Sequence, residues 1–112
     1  FDLADRGMLD STLVVVMSEF GRTPNVNLYY GRDHWGTAWS VCLAGGRLHR
    51  GAVIGTTNDT GTAVIDPEVD HGPRCHTYLQ AVGLDSRGSF NVAGREMLMS
   101  DPEFDSIPAL LT

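Results

Sequence analysis

Apolar positions along the chain fall into a few short runs separated by polar, glycine-rich stretches. The run Leu13-Val14-Val15-Val16-Met17 is continuous, β-branched and without alternation. That pattern predicts a strand covered on both faces, as in a parallel sheet. Upstream, Leu3, Met8 and Leu9 stand among Asp and Arg, which reads as the last turns of a helix from Phe1 that stops near Gly7. Asp10-Ser11-Thr12 turns the chain into the strand. Residues 38–44 predict a second, mostly apolar strand beside the first, with Gly45-Gly46 as the turn after it. Residues 47–54 read as a short strand or an extended edge segment, 56–61 as a turn by composition, and 62–65 as one more short strand. Over residues 69–82, Cys75, Tyr78, Leu79 and Val82 keep helical spacing, and Gly83 supplies the stop. Past Asp85 the period fades. Residues 86–91 read as loop, 92–99 fit neither period, Asp101-Pro102 marks a turn, and 107–111 predict a terminal apolar turn docked on the body. The division expected is a folded segment over 1–85 and a poorly defined tail over 86–112.

Between the first two strands, residues 18–36 predict a long loop carrying Gly21, Pro24, Asn25, Asn27 and Gly31. Loops beyond about 12–15 residues with no structure of their own are mostly functional or disordered. Phe20, Tyr29, Tyr30 and Trp35 argue against disorder here. Ligand sites in parallel α/β sheets lie beyond the carboxyl ends of the strands. Glu19, Arg22, Asp33 and His34 therefore occupy the stretch where chemistry is expected.

Asp33-His34 sets a carboxylate beside an imidazole, which suits metal ligation or acid–base work. The bland alternative is a loop histidine bonded to backbone. Glu19 with Arg22 reads either as a metal-facing carboxylate beside an anion grip or as an ion pair pinning the loop, and exposed pairs of that kind contribute little. Ser18 lacks the glycine-flanked elbow of a nucleophilic serine. His71 and Cys75 stand at i, i+4 on the predicted helix, a weak metal signal without further ligands. Leu43-Ala44-Gly45-Gly46 carries no phosphate-loop pattern and is a turn.

Composition narrows the classes. With 112 residues, 42% hydrophobic and 20% charged, the chain has the makeup of one globular domain with a modest core. Its net charge of −6 disfavours a nucleic-acid partner. No apolar run reaches the roughly 20 residues that span a bilayer. All 8 basic residues are arginine; this is either a GC-rich coding bias or a set of guanidinium forks for anions. Two cysteines are too few for a disulfide framework and read as small hydrophobes. The chain opens on Phe1-Asp2-Leu3 rather than Met, as a fragment of a longer protein would.

The stretches Leu9–Pro24 by number, LDSTLVVVMSEFGRTP, then GRDHW and SVCLAGGRLHRGAVIG, resemble a bacterial domain-of-unknown-function family, numbered fifteen hundred and one and related to the sulfatases. The likeness is close over residues 1–56 and looser over 69–85, where Ala81-Val82-Gly83-Leu84-Asp85 resembles a helix stop of that family. The resemblance implies a place in the alkaline phosphatase and sulfatase superfamily, hence an α/β fold: the C-terminal portion of a mostly parallel sheet flanked by helices. It also implies a site of Glu19, Arg22, Asp33 and His34. Ser18-Glu19-Phe20-Gly21 falls where better-known members carry Ser or Thr followed by Asp-His-Gly, so Phe20 stands in place of a metal-binding histidine.

The function expected is that of a fragment of a metal-dependent hydrolase of sulfate or phosphate esters, inactive alone. Glu19 and His34 are the metal ligands and Asp33 and Arg22 the catalytic groups. The cofactor is a divalent ion, zinc or calcium, and the partner an anionic ester or a sulfated glycan. Export to the periplasm or cell surface follows from the resemblance alone. The alternative is a non-catalytic binding or cell-surface structural module on the same fold.

Overall fold

The computed structural model describes residues 2–112, so the predicted helical contribution of Phe1 lies outside the described residues. Helix α1 is a single turn, Asp2–Asp5. Gly7, at φ +67°, ends it: Met8 N–H donates to the Leu3 carbonyl at 2.8 Å and Gly7 N–H to Ala4 at 3.0 Å. This paired closure needs a left-handed residue at its centre, which glycine supplies without a Cβ clash.

The expected mostly parallel sheet flanked by helices is not what the chain forms. Among the described residues its strands make four two-stranded sheets. β1 (Leu13–Val16) joins β4 (Cys42–Gly45), and β2 (Gly21–Arg22) pairs with β3 (His34–Trp35). β5 (Thr56–Thr57) pairs with β6 (Val64–Asp66), and β7 (Ser89–Val92) with β8 (Arg95–Leu98). The last three pairs are antiparallel. Burial gives the physical reason. Leu13, Val14 and Val15 are only half-buried and Val16 is 64% exposed, so the apolar run is not sandwiched between helix layers. Only one helix of more than one turn, α2 (His71–Ala81), is present among the described residues, too few to cover a sheet on both faces.

Smaller expectations shift as well. The loop over 18–36 has structure of its own in β2 and β3. The second strand is shorter than residues 38–44 suggested and begins at Cys42. Residues 47–54 contribute only a bridge, Leu48 to Leu111. The turn over 56–61 starts with the two residues of β5, and its partner strand starts two residues later than expected and ends one later. β7 and β8, which the sequence left without a period, form a hairpin whose two-residue turn places Ala93 at φ 51° and Gly94 at φ 83°. Both central residues are left-handed, the requirement of a type I′ turn.

The chain divides into two compact units. One comprises the residues up to Val14, Leu43–Ala52 and Val69–Thr112; the other comprises Val15–Cys42 and Val53–Glu68. The first is organised on α2. Asp70 caps it, its carboxylate accepting His71 N–H at 2.6 Å, and Gly83 at φ 82° closes it as Gly7 closes α1. Its buried stripe is Gly72, His76, Thr77 and Ala81, not the Cys75, Tyr78, Leu79 and Val82 set that hydropathy favours. Phe104 explains part of this choice: a Cβ on Gly72 would lie 2.3 Å from its ring, so the aromatic packs where a side chain is missing. The last residues dock as expected, with His49 N–H on the Leu110 carbonyl and Thr112 N–H on Arg47, each at 2.9 Å.

Candidate functional site

The loop with the candidate residues lies in the second unit and is built around a short ladder. Gly21 faces Trp35, and Arg22 faces His34. Glycine is required at 21: a Cβ there would lie 2.4 Å from the Ala38 carbonyl oxygen and 2.9 Å from Trp39 Cβ. The ladder extends through Thr23, whose N–H donates to the Asp33 carbonyl at 3.0 Å while its hydroxyl accepts Asp33 N–H at 3.1 Å. Trp35 Nε1–H and the Thr37 hydroxyl both reach the Thr62 carbonyl, at 3.0 and 2.9 Å, and fasten the ladder to the turn before β6.

Two exposed arginines brace the loop. Arg22 Nη1 donates to the Arg32 carbonyl at 3.1 Å, and Arg32 Nη1 donates to the carbonyls of Thr23, at 2.9 Å, and Pro24. Asn27 closes the tip. Its amide oxygen accepts the N–H groups of Tyr29 and Gly31, at 2.9 and 3.1 Å, and its amide nitrogen donates to Asp33 Oδ1 at 2.9 Å. Tyr30 is held at φ 61°, a conformation that costs a bulky residue on the order of 1–3 kcal/mol.

The ladder brings Arg22 and His34 together as direct cross-strand neighbours. Phe20 joins them: its ring stacks on the His34 imidazole at 3.8 Å between centroids, and the Arg22 guanidinium carbon lies 5.7 Å from its centre. A guanidinium and an imidazole carried on one aromatic ring, both exposed, are disposed to meet an anion from solvent. Asp33 is turned toward Asn27 rather than toward the imidazole. Glu19 is exposed and makes no side-chain hydrogen bond among the described residues. No three His, Cys, Asp or Glu side chains gather as a metal site among the described residues. His71 Nδ1 is engaged with Asp70 Oδ1 at 2.8 Å, and Cys75 is exposed. The two His71 hydrogen bonds hold the Asp70 carboxyl below its ordinary range.

A family described as "Protein of unknown function (DUF1501)" matches residues 1–111. The chain belongs to that family. No curated protein and no solved structure matches it. The DUF1501 match includes the stretch beyond Ser86, which the quoted motifs do not reach.

In this DUF1501 chain, sequence reasoning missed the polar centre of the first unit. His76 and Ser86 are each 1% exposed and Thr77 is fully buried. His76 Nδ1 lies 2.8 Å from Ser86 Oγ, and Nε2 lies 2.8 Å from the Asp101 carbonyl. The carbonyl can only accept, so Nε2 carries the proton; in the neutral ring Nδ1 then accepts from the Ser86 hydroxyl. Gln80 Nε2 donates to Ser86 Oγ at 3.0 Å, which completes the chain. Thr77 donates to the Pro73 carbonyl at 2.7 Å and accepts Ile107 N–H at 2.9 Å. Burial also pushes the Tyr78 hydroxyl up, with Arg74 opposing. Nothing in the spacing of His76 and Ser86 announces this network. The Asn27 clamp had a faint signal, an asparagine four residues before a glycine.

Proposed function

We propose that this chain presents the anion-recognising loop of a hydrolase of sulfate or phosphate esters. The observation that carries the reading is the Arg22–His34 cross-strand pair held on Phe20. Arg22 meets the ester's anionic oxygens, its backbone bond to Arg32 limiting the orientations it must give up on binding. Asp33 acts as a positioning residue through Asn27, which sets the tip of the same loop. A divalent ion at this loop would take Glu19 and His34 as donors and, when bound, would polarise the ester oxygen. Two donors fall short of the roughly three or four protein ligands that zinc takes, so these residues do not form a complete centre by themselves. The substrate class includes sulfated glycans, and export of the protein accords with such a substrate.

The test uses the protein as its gene encodes it, assayed on nitrophenyl sulfate and nitrophenyl phosphate with Arg22→Ala and His34→Ala. Each substitution is expected to lower kcat/KM by about 100-fold or more, the usual scale for losing a group that stabilises developing charge. Full activity in Arg22→Ala would sink the reading. A second reading, a non-catalytic anion-binding module, draws support from the exposure of all four side chains, since catalysis ordinarily draws on a water-excluded site. It predicts no turnover, together with sulfate-ester binding that is lost in Arg22→Ala.

A further inference from the structure

The ladder that carries Arg22 and His34 has only two residues in each strand. Strands that short do not hold their own register in water, so their pairing depends on what they are fastened to. One end is fastened within the loop, by Thr23 on Asp33. The other is fastened far along the chain, where Trp35 Nε1–H and the Thr37 hydroxyl share the Thr62 carbonyl. That carbonyl is itself held in place by Asn58. The Asn58 amide oxygen accepts the N–H groups of Thr62, at 2.9 Å, and Ala63, at 3.3 Å, which engages both its lone pairs. Its amide nitrogen donates to the Thr62 hydroxyl at 2.8 Å. Main-chain bonds close the same turn, from Asn58 N–H to the Ala63 carbonyl at 3.0 Å and from Gly61 N–H to the Asn58 carbonyl at 2.9 Å. Asn58, Thr62 and Trp35 are half-buried, whereas Arg22 and His34 are exposed, and all five belong to the second unit. Bonds screened from water hold more firmly than those of the exposed tip.

We propose that Asn58 is a positioning residue for the Arg22–His34 pair, acting through Thr62 and Trp35. Asn58 orients the Thr62 peptide, and the Thr62 carbonyl seats the Trp35 indole. Trp35 faces Gly21 across the ladder, which sets the next residues, His34 and Arg22, opposite each other on Phe20. Asn58 itself does not meet the anion. Alanine at 58 releases two N–H groups and the Thr62 hydroxyl, so the carbonyl that Trp35 needs is no longer aimed. Aspartate keeps the clamp, because its carboxylate accepts both N–H groups and the Thr62 hydroxyl can turn to donate to it. What the pair is for rests on the anion-recognising reading above; how the pair is placed rests on these bonds alone.

The test reads the geometry of the pair and its use separately, on the protein as its gene encodes it. His34 lies face to face with Phe20, so the ring current of Phe20 shifts the imidazole C–H signals of His34 upfield. In protein carrying isotope-labelled histidine, with the His34 signal assigned by its loss in His34→Gln, Asn58→Ala is expected to move that signal toward its ordinary position. Asn58→Asp is expected to leave it where it is. Trp35→Phe removes the indole N–H while keeping an aromatic ring, and it is expected to move the signal as Asn58→Ala does, so the result stands even where alanine at 58 unfolds the turn. Affinity for nitrophenyl sulfate is expected to fall about tenfold in Asn58→Ala and Trp35→Phe, the scale of one lost charge-assisted hydrogen bond, and to persist in Asn58→Asp. A His34 signal unmoved in the folded Asn58→Ala or Trp35→Phe protein would overturn the proposal, and so would a signal displaced equally by alanine and aspartate at 58. If the unaltered protein does not bind nitrophenyl sulfate, the anion reading fails. The His34 signal then decides the positioning role by itself, displacement supporting it and constancy overturning it.

Discussion

Two regions of this chain are held by webs of polar hydrogen bonds, and they use them in opposite ways. The web around His76 is buried: its ring, the Ser86 hydroxyl and the Thr77 hydroxyl are sealed from solvent, and every proton and lone pair that matters is matched. The web around Asn27, Thr23 and Arg32 is at the surface and carries Arg22 and His34 outward. Inside, where an unmet polar group is costly, the bonds hold segments together. Outside, where each bond competes with water, they stabilise little but fix the direction of side chains. Polarity alone therefore does not mark a functional site. The difference lies in what the web leaves exposed, an imidazole and a guanidinium in one case and nothing in the other.

The contrast breaks most sharply at His76. Alanine there leaves the Ser86 hydroxyl proton without its acceptor and the Asp101 carbonyl without its donor, and opens a cavity where the buried ring was, so the first unit is expected to lose about 2–4 kcal/mol in urea unfolding. A loss below about 0.5 kcal/mol would mean that the network is as dispensable as a surface one. Gly21→Ala tests whether the exposed web depends on close packing beneath it. Its Cβ meets backbone at 2.4 Å, and a cost of about 1–3 kcal/mol is expected, with changed amide shifts at Arg22 and His34. Asn27→Ala should cost only about 1 kcal/mol, yet raise hydrogen exchange at Tyr29 and Gly31 markedly. Unchanged exchange would show that the turn holds itself. The smallest effect concerns pH. The Asp70 carboxyl is lowered by bonds it makes only in the folded helix, so its contribution is present above the ordinary carboxylate range and is lost as pH falls through the lowered value. Exchange in the first turn of α2 should rise as acid is added and lose that dependence in Asp70→Asn.

What the sequence disclosed and what it hid follow the same division. The glycine stops at Gly7 and Gly83, the strand at Leu13 and the turn at Gly45 were legible because each rests on local backbone chemistry. Arg22 and His34 stood out by residue type, but their pairing depends on a ladder between residues that Asn27 and Thr23 bring together. The parallel sheet was wrongly expected because an uninterrupted valine run says what a strand would tolerate on its faces, not what covers them. The buried stripe of α2 was misassigned for a related reason: His76 and Thr77 are apolar in effect only once Ser86, Asp101 and Ile107 have answered their bonds. The β7–β8 hairpin hid behind a turn in which Ala93, rather than Asn or Gly, takes the left-handed position.

The division of the chain also has a bearing on how it is made. The stretch from Val15 to Cys42 is contiguous and precedes residues 69–112 in synthesis, whereas the unit organised on α2 is assembled from three separated pieces. Arg47 receives its bond from Thr112, 65 residues later. During synthesis the surface-loop unit can close while the other still awaits its last segment, and contacts of such long sequence separation form slowly. Until they form, Leu48 lacks its bridge partner Leu111, and this is the interval in which a chaperone has most to offer.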